Sequence, residues 1–153
     1  MRKLIIFDLD NTFYLYEDAH KAAIKKVFEN QNKYSEFEKF LLDYENSKKE
    51  IQNRLILSPS KHSKLLYFKD LWSNSIDLEE IQKLENTYWN EFIKKAIISK
   101  EVLKILNDNK DEEAKYFLFT NQNTYVQLNK ITSWNLNFFD LVITSEEVGY
   151  EKP

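Results

Sequence analysis

The sequence predicts an α/β fold: a short parallel sheet whose first strand is separated from the others by a long helical insertion. Three observations predict it. Lys3–Leu9 is a continuous apolar run that stops at acidic residues, the pattern of a strand buried on both faces. From residue 15 to about 98, apolar side chains recur at helical spacing with no strong strand candidate. The remainder alternates helix, strand, helix, strand with short connections, which implies parallel pairing through right-handed crossovers.

Within the insertion, Phe37, Phe40, Leu41, Tyr44, Ile51 and Leu55 mark one helix, and Ile81, Leu84, Tyr88 and Phe92 another. Asp77, followed three residues later by Glu80, has the spacing of a capping box opening the second. Ser58-Pro59-Ser60 interrupts the pattern, and Leu65, Phe68 and Trp72 resume it. Ser99–Leu106 reads as a short helix capped by Ser99, and Tyr116–Phe119 as a short strand ending in Thr120-Asn121. Asn123–Asn135 reads as a helix packed through Leu128 and Ile131, and Asp140–Thr144 as the third strand. Trp72, Trp89 and Trp134 are expected to pack in the interior, and His20 to sit on a solvated surface.

Composition removes several classes of function. At 153 residues the chain can bury a proper core, and 42% apolar with 15% aromatic residues is too much for disorder. The 22 basic and 25 acidic residues balance to −3, so no strong field draws nucleic acid or an anionic membrane. The absence of cysteine excludes disulfides, thiolate zinc sites and thiol catalysis. One glycine, Gly149, and two prolines leave no room for a Gly-rich nucleotide loop. No stretch approaches the roughly 20 apolar residues of a membrane span, and the N-terminal run is too short for a secretion signal, so a cytoplasmic protein is expected.

The chemistry concentrates at the predicted strand ends. In Phe7-Asp8-Leu9-Asp10-Asn11-Thr12 two carboxylates leave the C-terminal tip of the first strand, the edge where parallel α/β sheets bind ligands. Their mutual repulsion favours a bound cation or a raised pKa on one of them. One could attack as nucleophile while the other handles protons; a solvated strand end with a capping Asp explains the pair equally well. Thr120-Asn121 offers a hydroxyl and an amide that can bind phosphate without a glycine loop, although both residues are also ordinary turn formers. Lys152, between Gly149 and Pro153, could neutralise phosphate and an attacking carboxylate, or be a plain surface lysine. Arg54, Lys61, His62 and Lys64 gather near a helix–helix turn, where a solvated helix face is the simpler account.

The ordered set Asp8-x-Asp10-x-Thr12, an apolar strand with Thr120-Asn121, and Gly149-x-x-Lys152-Pro153 resembles the haloacid dehalogenase-like hydrolase superfamily. The resemblance implies a Rossmann-like core from residues 1–14 and 99–153, with an α-helical cap domain at 15–98. It gives Asp8 the role of phosphoryl-accepting nucleophile and Asp10 that of general acid and base. Thr12 would support the turn, Thr120 and Asn121 would hold the phosphoryl group, and Lys152 would steady both. Asp8 and Asp10 would hold Mg²⁺. Arg54, Lys61, His62 and Lys64 fall in a segment similar to cap segments that select small sugar or nucleotide phosphates.

An acid at the Asp10 position points to ester rather than halide chemistry, since an ester oxygen must be protonated as it leaves. The resemblance thus implies a Mg²⁺-dependent phosphatase acting on a small phosphorylated metabolite. Members of the family continue past the lysine with further strands and with acids that complete the metal site, so the chain reads as truncated after Lys152-Pro153. That would leave the first strand an open apolar edge, from which self-association is expected. A non-catalytic remnant or interaction module that keeps the fold is the alternative.

Overall fold

The computed structural model describes residues 3–73, 77–108 and 113–152. The chain divides into two compact units, Met1–Tyr16 with Ala96–Pro153, and Glu17–Lys95. The first carries an α/β sheet; the second is entirely helical among its described residues.

The sheet has three parallel strands in the order β1 (Lys3–Phe7), β2 (Ala114–Thr120), β3 (Leu141–Thr144). Ile5 lies opposite Tyr116, Phe7 opposite Leu118, and Thr120 opposite Thr144, so β2 runs two residues beyond the end of β1. β1 stops at Phe7, short of the predicted Leu9. Leu9 is fully buried in the turn that follows, and its carbonyl accepts the N–H groups of Thr12 (3.3 Å) and Phe13 (3.0 Å). Asn11 takes φ 60°, a left-handed conformation that Asn tolerates, and its Oδ1 accepts the Tyr16 N–H at 2.9 Å. That bond sets the start of α1 (Tyr16–Glu29). The turn is anchored by Phe13, fully buried with its ring 6.0 Å from Phe7 and 5.9 Å from Phe139. β1 is an edge of the described sheet, and it is not the strand buried on both faces that its apolar run predicts, since Leu4 and Ile6 are more than half exposed.

Two helices flank β2 in sequence, α5 (Lys100–Asp108) before it and α6 (Thr124–Ser133) after it. Ser99 caps α5 by accepting the Val102 N–H at 3.2 Å. Asn123 caps α6 in the same way through Val126. The phase of α6 differs from the expectation: it buries Val126, Gln127, Lys130 and Ile131, while Leu128 is 45% exposed. A short α7 (Ser145–Val148) follows β3, opened by a capping box between Thr144 and Glu147 and closed by Gly149 at φ 76°. Left-handed backbone at that position is why the chain's one glycine stands there.

The helical unit contains the rest of α1, then α2 (Phe37–Arg54), a 3₁₀ turn (Pro59–His62), α3 (Lys64–Leu71) and α4 (Leu78–Lys95). Its core is aromatic: Phe40, Tyr44, Tyr67, Phe68, Trp72, Tyr88 and Phe92 are all buried, and α4 buries Ile81, Leu84, Tyr88 and Phe92 as its spacing predicts. Asp77 caps α4 by accepting from the N–H groups of Glu79 and Glu80. Among the described residues no helix is long and apolar enough to cross a membrane.

His20 departs from expectation. It is half-buried, not solvated, with Nδ1 2.7 Å from the Tyr88 hydroxyl. Burial, aided by the positive charges of Lys64, Lys48 and Lys21, pulls its pKa down to about 3. Because the folded value lies below the unfolded 6.5, stability is greatest above pH 6.5 and declines as pH falls towards 3. The slope from this one group cannot exceed about 1.4 kcal/mol per pH unit. Chemical denaturation of His20→Gln between pH 7 and 4 should show a shallower decline than the wild type. In the core of the first unit, Phe13→Ala should cost about 3–5 kcal/mol in the same measurement, because it empties a fully buried aromatic site.

Candidate active site

The strand ends bring Asp8, Thr120, Asn121 and Lys152 together. Asp8 follows β1 directly, and its Oδ1 lies 2.6 Å from the Lys152 ammonium and accepts the Leu9 N–H at 2.7 Å. The Lys152 ammonium also donates to the Phe119 carbonyl (3.0 Å), and its backbone N–H donates to Asn121 Oδ1 (2.8 Å). Lys152 therefore bridges the tips of β1 and β2. The reversal that returns it there is pinned: Gln122 N–H donates to Ser145 Oγ (3.1 Å), Thr124 N–H donates to Glu146 (2.8 Å), and Gly149 turns the chain back. Pro153, the last residue of that motif, lies outside the described residues. Thr12 is exposed and contributes its backbone N–H to the turn.

Asp10 is held by a different set of partners. Since β1 ends at Phe7, the two acids do not share a strand face, and Asp10 enters a polar pocket closed by α6. Its Oδ1 accepts from the Lys130 ammonium at 2.7 Å and from the Tyr14 hydroxyl. Its Oδ2 accepts from Gln127 Nε2 at 2.9 Å. The same Nε2 donates to the Thr120 hydroxyl at 2.6 Å, and the Lys130 ammonium lies 3.0 Å from the Tyr14 oxygen. Lys130 is fully buried, and the Tyr14 ring packs 4.8 Å from the Trp134 ring, tilted by 58°.

The electrostatics differ from the expected repulsion. Each carboxylate has its own lysine, Asp8 with Lys152 and Asp10 with Lys130. Burial alone would raise the pKa of Asp10, but the charge and hydrogen bond of Lys130, with those of Tyr14 and Gln127, outweigh it and hold Asp10 below the usual carboxylate range. Of the two expected outcomes, a bound cation or a raised pKa on one acid, the second does not hold for Asp10, because the buried Lys130 ammonium lowers its pKa. Gln127 and Lys130 were not singled out in the sequence. The available signal was their spacing from the Asn123 cap, which places residues 127, 130, 131 and 134 on one helical face.

The residues are a partial fit to Mg²⁺. Asp8 presents a half-exposed carboxylate paired through Oδ1 with Lys152, of the hard-oxygen type that Mg²⁺ takes. Asp10 already accepts from three donors, so a cation shared with Asp8 would compete with them for its oxygens. Among the described residues no three His, Cys, Asp or Glu side chains come together.

The four residues expected to read the substrate lie in the helical unit. Arg54 sits 3.9 Å from Asp70, Lys61 donates to the Ile56 carbonyl at 3.5 Å, and His62 ends the 3₁₀ turn half-buried. Lys64 is only 5% exposed, with its ammonium 4.9 Å from the Tyr67 ring and 5.4 Å from the Tyr88 ring. Cation–π contact with two core tyrosines makes Lys64 a packing residue, not part of a solvated face.

Two consequences of the Asp10–Lys130 pair can be measured by equilibrium unfolding. Lys130→Met should cost about 3–5 kcal/mol, and adding Asp10→Asn should recover part of the loss, since each single change leaves a buried polar group stranded. With a folded pKa below its unfolded value of 3.8, Asp10 contributes stability that is present above pH 3.8 and is lost as pH falls through the folded value. Wild type and Asp10→Asn should therefore converge in acid.

Comparison with known proteins agrees with this geometry. The family model described as haloacid dehalogenase-like hydrolase matches residues 5–153. A ribulose-1,5-bisphosphate 5-phosphatase of Halopiger xanaduensis is 28% identical, over all of this chain and 67% of that protein. Among solved structures, the HAD-hydrolase YfnB of Bacillus subtilis, determined with magnesium bound, superposes with a TM-score of 0.67 at 18% identity, covering 99% of this chain and 69% of its own. A 2-haloacid dehalogenase of Pseudomonas syringae pv. Tomato gives 0.66 at 21% identity, covering 100% and 68%. The chain thus spans about two thirds of the length of these relatives. An Asp8–Lys152 pair at the sheet edge, a Thr120-Asn121 strand end beside it and a match along residues 5–153 together place this chain in the haloacid dehalogenase-like hydrolase family.

Proposed function

We propose that the protein hydrolyses a small phosphate monoester through a phosphoryl group carried on Asp8. The observation that carries this reading is the convergence of a half-exposed carboxylate, a lysine bound to it, and a Thr-Asn strand end at one edge of the sheet. Asp8 uses the oxygen not engaged by Lys152 to attack phosphorus. As the Asp8–O–P bond forms, the bond to the alcohol oxygen breaks, and that oxygen takes a proton that Asp10, a carboxylate at rest, has first drawn from the monoanionic phosphate ester. Asp10 then accepts a proton from a water that attacks the same phosphorus, and the Asp8–O–P bond breaks to release phosphate. Asp10 passes that proton to the departing phosphate, so both carboxyl groups return to their starting states with one water consumed.

Lys152 and the Thr120 hydroxyl balance the charge that develops on the phosphoryl oxygens. Asn121 positions Lys152 through the backbone bond between them. Mg²⁺, held by Asp8, would supply further charge to the phosphate; the magnesium-bound relative supports that assignment. Asp10 rests as a carboxylate, the form needed for the hydrolytic half of the cycle.

The similar ribulose-1,5-bisphosphate 5-phosphatase supports a sugar phosphate as the substrate class, and the helical unit is proposed as the cap that selects it. Within that unit, Arg54, Lys61 and His62 remain the candidates for substrate contact, and Lys64 does not.

The reading is tested with p-nitrophenyl phosphate, with and without Mg²⁺, on the protein and on Asp8→Asn. Turnover that requires the metal and falls about 10³-fold or more in the variant is expected, as for loss of a nucleophile. Equal rates in the two proteins would remove Asp8 from the chemistry and the proposal with it.

A further inference from the structure

The described contacts join Asp10 and Thr120 into one unit through residues of α6. Gln127 and Lys130 stand one turn apart on its buried face, and both side chains are fully buried. Gln127 Nε2 bridges Asp10 Oδ2 (2.9 Å) and Thr120 Oγ1 (2.6 Å). Two acceptors on one amide nitrogen fix the orientation of that amide, because turning it would set its oxygen against the Asp10 carboxylate. Its own oxygen is left without a hydrogen-bond partner among the described residues. Oδ1 of Asp10 is taken by Lys130 and Tyr14, whereas among the described residues Oδ2 accepts from Gln127 alone. By accepting from Gln127, the Thr120 oxygen keeps its own hydrogen free to donate elsewhere.

We propose that Gln127 and Lys130 are positioning residues for phosphate-ester hydrolysis. Lys130 occupies Oδ1 of Asp10, so that Oδ2 is the oxygen that exchanges the proton. Gln127 sets the direction of that oxygen and, through the same nitrogen, turns the Thr120 hydrogen towards the phosphoryl group. The two therefore act differently: Lys130 works through Asp10 alone, and Gln127 works through both proton transfer and phosphate binding. This inference rests on the phosphatase reading above.

The test compares wild type, Lys130→Met, Lys130→Arg and Gln127→Leu, each checked for folding by circular dichroism. Steady-state hydrolysis of p-nitrophenyl phosphate and calorimetric binding of inorganic phosphate are measured on all four. Lys130→Met should lower kcat about 10²-fold, with KM and phosphate affinity within about threefold of wild type. Lys130→Arg, which retains the charge and the donors, should recover at least about tenfold of that loss. Gln127→Leu should lower kcat comparably and also weaken phosphate binding about tenfold. Should Gln127→Leu fail to fold, Gln127→Met carries the same test at the original side-chain length.

Folded variants with kcat within threefold of wild type would overturn the inference while leaving the phosphatase reading intact. So would equal losses of phosphate affinity in both α6 variants, which would indicate a merely structural role. If wild type turns over no phosphate monoester, the phosphatase reading fails, and calorimetry alone decides whether Gln127 orients Thr120. Phosphate binding weakened by Gln127→Leu but not by Lys130→Met would sustain that part, whereas unchanged or undetectable binding would overturn it.

Discussion

Two negative charges leave the end of one strand two residues apart, and much of the first unit is arranged to balance them separately. A carboxylate at a strand tip is inexpensive while water reaches it; one carried under a helix is not. Asp8 is the first kind, half-exposed and paired with a lysine that is itself partly in solvent. Asp10 is the second kind, and it requires a fully buried ammonium, a tyrosine hydroxyl and an amide to keep its charge. The early end of β1 separates the two roles. Had the strand continued to Leu9, Asp8 and Asp10 would have faced the same side and competed for one cation.

The remaining structure of the site follows from delivering those partners. Lys152 reaches Asp8 because the capping box of α7 and the left-handed Gly149 reverse the chain after β3. Lys130 and Gln127 reach Asp10 because Asn123 starts α6 immediately after the β2 tip, in a phase that turns residues 127 and 130 inward. Thr120 stands between the two arrangements, two residues past the end of β1 in register and bonded to Gln127. Charge balance on Asp10 and the hydrogen bonding of the Thr120 hydroxyl are thereby linked through a single amide.

The match to relatives that share a fold but differ in chemistry fits this division. A dehalogenase and a magnesium-bound hydrolase superpose about equally well on this chain, so the fold does not separate the reactions. The proposed phosphatase reading rests instead on local groups: Asp8 with Lys152, and an acid at position 10 with the groups that hold it.

The α/β alternation, the helical insertion after the first strand, the core of α4 and the caps at Asp77 and Ser99 were legible in the sequence, because each rests on local spacing and on short-range hydrogen bonds. So were Asp8, Thr120, Asn121 and Lys152, because strand ends in a parallel sheet gather at one edge whatever the details. The Asp10 network was not. Lys130 and Gln127 lie about 120 residues from Asp10, and a lysine and a glutamine on a helix read as solvent-facing until packing buries them. His20 and Lys64 were misplaced for the same reason: aromatic neighbours distant in sequence make an interior position habitable for a polar group. Local sequence thus determined which elements form and where the Asp8 carboxylate sits. Tertiary packing alone decided which charges are buried and how they are balanced, because desolvation depends on what surrounds a group in space and not on its neighbours in the chain.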